Sequence, residues 1–519
     1  MGNLDKQDSA MQLELAQRIR DILVLDPDKG ALEFKQTWYS WGQLQRGMDR
    51  IEEMLNHAQL PKGAAVAIVL RNRPAHVAAV LQILASKRCI APVNPFQSAD
   101  KIAADLEKLQ APVILADPED WQHQEILECA NKTGAVAIEI TAAEELSATL
   151  IGERDIPGAG PHHELLPDTA ILMLTSGTTG PAKRIKLSHS SFSQSVLSAA
   201  QHYGKDGVAL KLKTGVSLLS GPLVHIGGLY FVFDSVINGR SFCLLEKFSV
   251  PEWVRAVKAY KIKAASLPPT AIRMVMDAGT EKSDIDSLIA LRSGSAPLPL
   301  DLQEEFEEKY GIAILDVYGA TEFAGAITGW TLKDHRQHST TKRGSVGRAQ
   351  PGVELRIIDP DSGDVMNNGV GLLEVRSKQA SESCWVRTTD LAELDEDGFL
   401  YIRGRADNAI IRGGFKVLPR EVEDIILQHE AVKNAAVLGL TDRRLGAIPV
   451  AAVELHDGYN DISEEELIAF VRKSTVAYKT PAQIKILDDL PRTDSMKVSI
   501  HTLKEMFSHT ENKEPSTTK

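Results

Sequence analysis

Short apolar runs alternating with helical patterns constrain this chain more than any other feature. AAVAIVL at 64–70, PVILA at 112–116, AILML at 170–174, VSLLS at 216–220 and KAASL at 263–267 are too short for helices, and most are too continuously apolar for strands with one wet face. They predict buried strands. Longer segments between them, such as Asp100–Gln110, carry helical periodicity. The expected fold class is therefore α/β, with helices layered on a largely parallel sheet. Sheets of that kind hold ligands in loops beyond the carboxyl ends of their strands.

A chain of 519 residues exceeds what one hydrophobic core supports, so more than one domain is expected. After Gly344 the texture changes: GVELRIID, GLLEVRS and GFLYIRG are short alternating segments separated by the turns DPDSGD and DEDG, which read as β-hairpins. From about Ala406 to Leu503 the pattern is mixed again, with helices expected over Pro419–His429 and Ser463–Lys473. The expected organisation is a large N-terminal domain, 1–405, of layered α/β subdomains plus a β-rich subdomain, followed by a small α+β C-terminal domain, 406–519. The polar tail ENKEPSTTK is expected to fray.

A formal net charge of −12 opposes nucleic-acid binding, which relies on clustered Lys and Arg. The scattered cysteines Cys89, Cys129, Cys243 and Cys384 form no metal-ligand spacing and suit a reduced, cytoplasmic setting. The start, MGNLDKQDSAMQLE, has no apolar core of a secretory signal and lacks the hydroxyl residue that myristoylation wants at position six. The most apolar window, Leu218–Ile237, contains His225, Asp234 and several glycines, and reads as buried core rather than a membrane span.

The chemistry is concentrated first in LTSGTTGPAKRIKLSH at 174–189, directly after the strand AILML. Small hydroxyl residues and glycines in such a turn can aim several N–H and O–H donors at one anion, and Lys183 adds a point charge. Thr175, Ser176, Gly177, Thr178, Thr179, Gly180 and Lys183 are thus candidates to cradle a polyphosphate. Pro181 follows Gly180, so the P-loop pattern GxxxxGK[ST] does not fit.

With this loop the sequence resembles the adenylate-forming superfamily of acyl- and aryl-CoA ligases, peptide-synthetase adenylation domains and beetle luciferases. The resemblance continues through GPLVHIGGL at 221–229, SGSAPL at 293–298, YGATE at 318–322, RGSVGRAQPGVELRIID at 343–359, TTDLAELDEDGFLYIRGRADNAIIRGGFKVLPREVE at 388–423 and LPRTDSMKV at 490–498. It implies an acyl-adenylate formed from ATP with Mg²⁺, then transfer of the acyl group to coenzyme A.

On this resemblance Lys497 bridges carboxylate and α-phosphate, which the chemistry requires because two anions must meet. Glu322 holds Mg²⁺, Thr321 donates to the α-phosphate, and Tyr318 flanks the adenine. Gly319 and Ala320 leave room for the adenylate, while Ser295, Ala296 and Pro297 line the adenine pocket with backbone. Asp390 accepts from the ribose hydroxyls, with Arg405 as its companion. Asp407 is the hinge about which a mobile C-terminal domain rotates, bringing Arg412, Gly413 and Gly414 to the CoA tunnel, where glycines let a pantetheine arm pass close to backbone.

The implied acid pocket is lined by His225, Gly227, Gly228, Leu229, Ser293, Gly294, Gly319, Ala324 and Gly325. These are mostly small or apolar, which suits an aryl, arylalkyl, alicyclic or medium-chain acid. An FDS at Phe233–Ser235 imitates the amino-acid-binding FDxS motif, but Asp234 falls too late. His225 stands near the relevant position, and a substrate ammonium would lack a counter-charge.

The chain departs from the family pattern at Ala182 (usually Pro), Arg184 (Gly), Thr389 (Gly), Met496 (Gly) and Ile500 (Arg). Two alternatives stand beside the CoA ligase. One is an enzyme loading a carrier protein; the other is a non-catalytic nucleotide binder, against which the presence of Lys183, Glu322, Asp390, Arg405 and Lys497 together speaks. A homodimer is one option for assembly.

Overall fold

The computed structural model describes residues 15–175, 183–202, 210–379, 381–413, 415–459, 461–493 and 496–508. The N-terminal stretch 1–14 and the tail 509–519 lie outside them, and with them the expectations about the start and the fraying end. The described residues divide into two compact units, one within 1–175, 182–354 and 376–384, the other within 355–375 and 385–519.

The first unit is built on three sheets. The largest has seven strands in the order Leu146–Ile151, Val136–Ala142, Val113–Ala116, Ala65–Val69, Cys89–Val93, Thr169–Thr175, Lys183–Ser188. Its inner strands run parallel and the two edge strands antiparallel. Ala65–Val69 is buried at all five positions, as its unbroken apolar run requires. The following helix, Pro74–Ala85, is buried over its whole length, the state of a helix that is apolar all round. By contrast Ala99–Leu109 turns only Ile102, Leu106 and Leu109 inward. That stripe agrees with the helix expected from Asp100.

A four-stranded sheet runs Val216–Leu219, Ser241–Leu244, Gly30–Phe34, Thr37–Ser40. A five-stranded one runs Ala264–Ser266, Ala290–Ser293, Ala313–Ala320, Gly325–Gly329, Arg348–Ala349, its first three strands parallel. The apolar window Leu218–Ile237 resolves into the end of a strand and the twelve-residue helix Ile226–Ile237. Among the described residues no helix is long and apolar enough to cross a membrane.

The second unit carries the β-rich segment, a sheet ordered Val365–Met366, Val353–Ile358, Gly371–Ser377, Ser381–Leu394, Leu400–Arg405. Beyond it a smaller α+β layer pairs Phe415–Val417, Ile410–Arg412, Gly446–Leu455 and Val432–Asp442. The helix expected over Pro419–His429 ends earlier, at Ile426. Gln428 and His429 donate to the carbonyls of Ile425 and Ile426, tightening the chain into the turn that enters the next strand. Ser463 caps its helix, Glu464–Ser474, through a reciprocal capping box with Glu466.

Candidate active site

Thr169–Thr175 leaves the seven-stranded sheet at its carboxyl end and pairs antiparallel with Lys183–Ser188, Thr175 opposite Lys183. The two strands that flank the phosphate loop are therefore neighbours in this sheet. Ser176, Gly177, Thr178, Thr179, Gly180 and Ala182 themselves lie outside the described residues. Lys183 is exposed. Arg184, an unusual charge at this place, is engaged within the protein: its guanidinium donates to the carbonyls of Pro92 and Leu172 at 3.0 Å and pairs with Asp105 at 2.6 Å.

The helix that follows opens with His189, which is 4% exposed. Burial, helped by the Lys87 charge, pushes its pKa down to about 4.

In the five-stranded sheet, the carboxyl ends of two parallel strands carry the candidate adenine residues. Ala290–Ser293 runs into Gly294, Ser295, Ala296 and Pro297, with Ser295 in the left-handed region at φ 70°. Ala313–Ala320 carries Tyr318, which faces Thr328 across an antiparallel pair, and runs into a single 3₁₀ turn, Thr321–Phe323. Phe323 is buried to 1% exposure and pins that turn, which turns Glu322 outward into solvent.

A Cβ on Gly319 would collide with the carbonyl oxygen of Gly325. The glycine is thus required by strand packing, whatever room it leaves for ligand. Likewise a Cβ on Gly228 would strike Pro222, and one on Gly294 would lie 2.8 Å from Val317 Cγ2. Gly227 alone of the glycines expected to line the acid pocket has open space around its Cβ position, with nothing within 4 Å.

His225 is the N-cap of the helix Ile226–Ile237. Leu229 and Ala324 are fully buried in the hydrophobic core, so packing engages their side chains. Ser293 is buried, and its hydroxyl has no hydrogen-bond partner among the described residues. Asp234 accepts from Asn238 at 2.9 Å at the end of its own helix, a structural engagement consistent with its exclusion as a substrate contact.

Three residues that motif reading passed over hold this region together. Ser195 donates to the Ala324 carbonyl at 2.9 Å. Tyr230 packs its ring beside Gly325. Asn72, 5% exposed, donates to the carbonyls of Gly221 and Leu245, both at 2.9 Å, and accepts from Leu223 N–H at 2.7 Å. Its amide thereby fixes the loop leading to His225.

In the second unit Asp390 and Arg405 face each other on adjacent antiparallel strands. The Arg405 guanidinium is gripped in bidentate fashion by Asp407, at 2.8 and 2.6 Å, and this pairing holds the Asp407 carboxyl below its usual range. Met496, before the lysine, sits at φ 62°, which explains why glycine is usual there. The Lys497 side chain reaches the surface, yet crowding of its amine by protein and the nearby Arg405 charge lower its pKa.

Arg412 turns its guanidinium onto the carbonyls of Ala477, Tyr478 and Thr480. Gly413 adopts φ 58° and donates to Leu445 O at 2.7 Å; Gly414 lies outside the described residues. Beside them Phe415, 57% exposed, stacks on Tyr478 at 4.8 Å with an 18° interplanar angle.

The model of the AMP-binding enzyme family matches residues 23–385, and that of the AMP-binding enzyme C-terminal domain matches 421–497. The chain belongs to the AMP-binding enzyme family. It is an acid–thiol ligase of the AMP-forming acyl-CoA synthetase class. Among its relatives in this family, the 2-succinylbenzoate–CoA ligase of Bacillus velezensis is 32% identical, covering 93% of this chain and 96% of that one. A 4-coumarate–CoA ligase 3 of Oryza sativa is 28% identical over 89% and 86%. The Bacillus subtilis o-succinylbenzoate CoA synthetase in complex with its acyl-adenylate intermediate superposes with a TM-score of 0.73 at 27% identity, covering 94% and 97%. ATP-bound MatB from Rhodopseudomonas palustris shares the fold at a TM-score of 0.80 and 23% identity, covering 95% and 99%.

Proposed function

We propose that this synthetase activates a hydrophobic carboxylic acid, an aryl or arylalkyl acid foremost and an alicyclic or medium-chain acid next, and passes it to coenzyme A. The observation that carries the chemistry is the lowered pKa of the Lys497 cation, caused first by crowding of its amine and then by the charge of a second cation, Arg405. Such a pair is relieved by an anion between them, and adenylation brings two: the substrate carboxylate and the α-phosphate. A carboxylate oxygen attacks the α-phosphorus and pyrophosphate leaves. The CoA thiol then attacks the acyl carbonyl, and AMP leaves.

Mg²⁺ in such sites is held by one or two carboxylates together with substrate phosphates. The outward-facing Glu322 fits that donor set and would hold the ion, which supplies charge neutralisation to the triphosphate. Asp390 would orient the ribose. The open space at Gly227, the absence of an acidic residue around His225 in GPLVHIGGL and the aryl acids named for two relatives favour a bulky acid without an ammonium group. The exposed Phe415–Tyr478 stack beside Gly413 suits an acceptor carrying an aromatic base, which favours CoA over a carrier protein.

The test is pyrophosphate release from ATP and Mg²⁺ across aryl, alicyclic, fatty and amino acids, each with and without CoA. Acid-dependent release with an acyl-CoA product is expected for an aryl or arylalkyl acid. Release without acyl-CoA would redirect the reading to a carrier protein, and release only with amino acids would overturn the pocket assignment.

A further inference from the structure

The loop that presents Lys497 is held from below by a carboxylate that the motifs do not include. Glu454, near the end of the strand Gly446–Leu455, is 4% exposed. A carboxylate so deep is costly unless donors surround it, and here three do. Asn434, opposite it on the neighbouring strand, donates to Oε2. Leu490 N–H donates to Oε1 at 2.6 Å, and the Arg492 guanidinium reaches the same oxygen at 3.1 Å.

Two of the three donors belong to the segment that leads into Lys497. Arg492 forms an antiparallel bridge with Val498, the residue after the lysine. Thr493 N–H donates to Lys497 O at 2.7 Å, and Ser499 N–H to Pro491 O at 2.7 Å. The lysine thus stands on a narrow hairpin whose base is clamped to Glu454.

We infer that Glu454 is a positioning residue for adenylation: its buried carboxylate, gripping Leu490 and Arg492, sets where the Lys497 amine stands. The inference rests on the reading of Lys497 as the adenylating lysine, and its test separates the two.

Glu454→Gln keeps the shape and removes the charge. Arg492→Gln, at a side chain 25% exposed, releases the same clamp from the loop side should the first variant fold poorly. Two readouts apply to each. The first needs no substrate: the titration of Lys497 after reductive ¹³C-methylation, followed by NMR and assigned with Lys497→Arg. Release of the clamp should return the amine toward the ordinary lysine range as it leaves Arg405.

The second readout compares the half-reactions, using whichever acid of the panel turns over fastest. Adenylation should fall 10- to 100-fold in kcat with little change in KM, while thioester formation from the prepared acyl-adenylate and CoA stays within about twofold. An unmoved Lys497 titration in both variants overturns the clamp. Equal loss in both half-reactions, with a lowered melting temperature, reduces Glu454 to a structural role and also overturns it. A moved titration with unchanged adenylation overturns the positioning role of Glu454 in adenylation, and Lys497→Arg then shows, by loss or retention of adenylation, whether the lysine itself takes part.

Discussion

His189 should make the stability of this protein fall in mild acid, by an amount the structure allows to be worked out. Its imidazole is buried at the start of the helix that follows Lys183–Ser188, with Nε2 lacking a hydrogen-bond partner among the described residues. Desolvation first, and then the Lys87 charge, lower its pKa from 6.5 to about 4, against a smaller opposing pull from Asp168. The folded state therefore holds fewer protons than the unfolded state between those values, and stability declines as pH falls from about 6.5 toward 4. At about 1.4 kcal/mol per pKa unit, a shift from 6.5 to about 4 makes the full loss about 3 kcal/mol. Less than half of it is gone by about pH 5.5, and most of it by about pH 4.5.

His189→Leu removes the titration. Urea unfolding of both proteins, followed by tryptophan fluorescence at pH 7, 5.5 and 4.5, isolates the residue, because every other group titrates alike in the two. The wild type should lose about 2–3 kcal/mol more than the variant between the first and last pH. Lys87→Met should reduce that excess. A wild-type and variant pair that decline in parallel would refute the reasoning.

Arg184→Gly restores the usual residue of the phosphate loop but strips Asp105 and two carbonyls of their donor; it should cost about 2 kcal/mol of stability with no gain in ATP affinity, read by thermal unfolding and nucleotide titration. Gly227→Val should fold normally, since nothing lies within 4 Å of its Cβ position, yet raise KM for the bulkiest acids at least tenfold, seen as a narrowed substrate panel. The alkaline limb of kcat/KM should fall at lower pH than an ordinary lysine would give, because burial and Arg405 lower the Lys497 pKa and the reaction needs the cation. Arg405→Gln should move that limb upward, and a limb that stays put would dissociate it from Lys497.

Much of the fold is legible because its strands are written as unbroken apolar runs and its caps as local pairs. Ala65–Val69, Val113–Ala116 and Thr169–Thr175 fall where the runs predict them, and Ser463–Glu466 announces its helix three residues apart. The boundary at Ile426 is not legible, since a continuing helical pattern does not reveal that the backbone tightens into a turn. In the candidate site, glycines read from motifs as room for ligand include several whose absent Cβ is demanded by neighbouring backbone, as at Gly319 and Gly228. That requirement depends on strand and loop partners distant in sequence. Met496 shows the converse: the expected glycine signals a positive φ, and the structure keeps that φ with another residue in place. Glu454 and Asn72 give no sequence signal, because their partners stand 20 to 38 and 149 to 173 residues away.

Asn72 carries a consequence for how freely this enzyme can vary. Its one amide spends two donors and an acceptor on three backbone groups at fixed spacing. Asp lacks the donors, Gln carries the amide a methylene farther, and Ser offers a single proton. A saturation scan should find a position in an unremarkable loop that tolerates substitution as poorly as Lys497 itself. Drift in substrate preference would be channelled to the open surface at Gly227, while the loop that carries His225 stays in place.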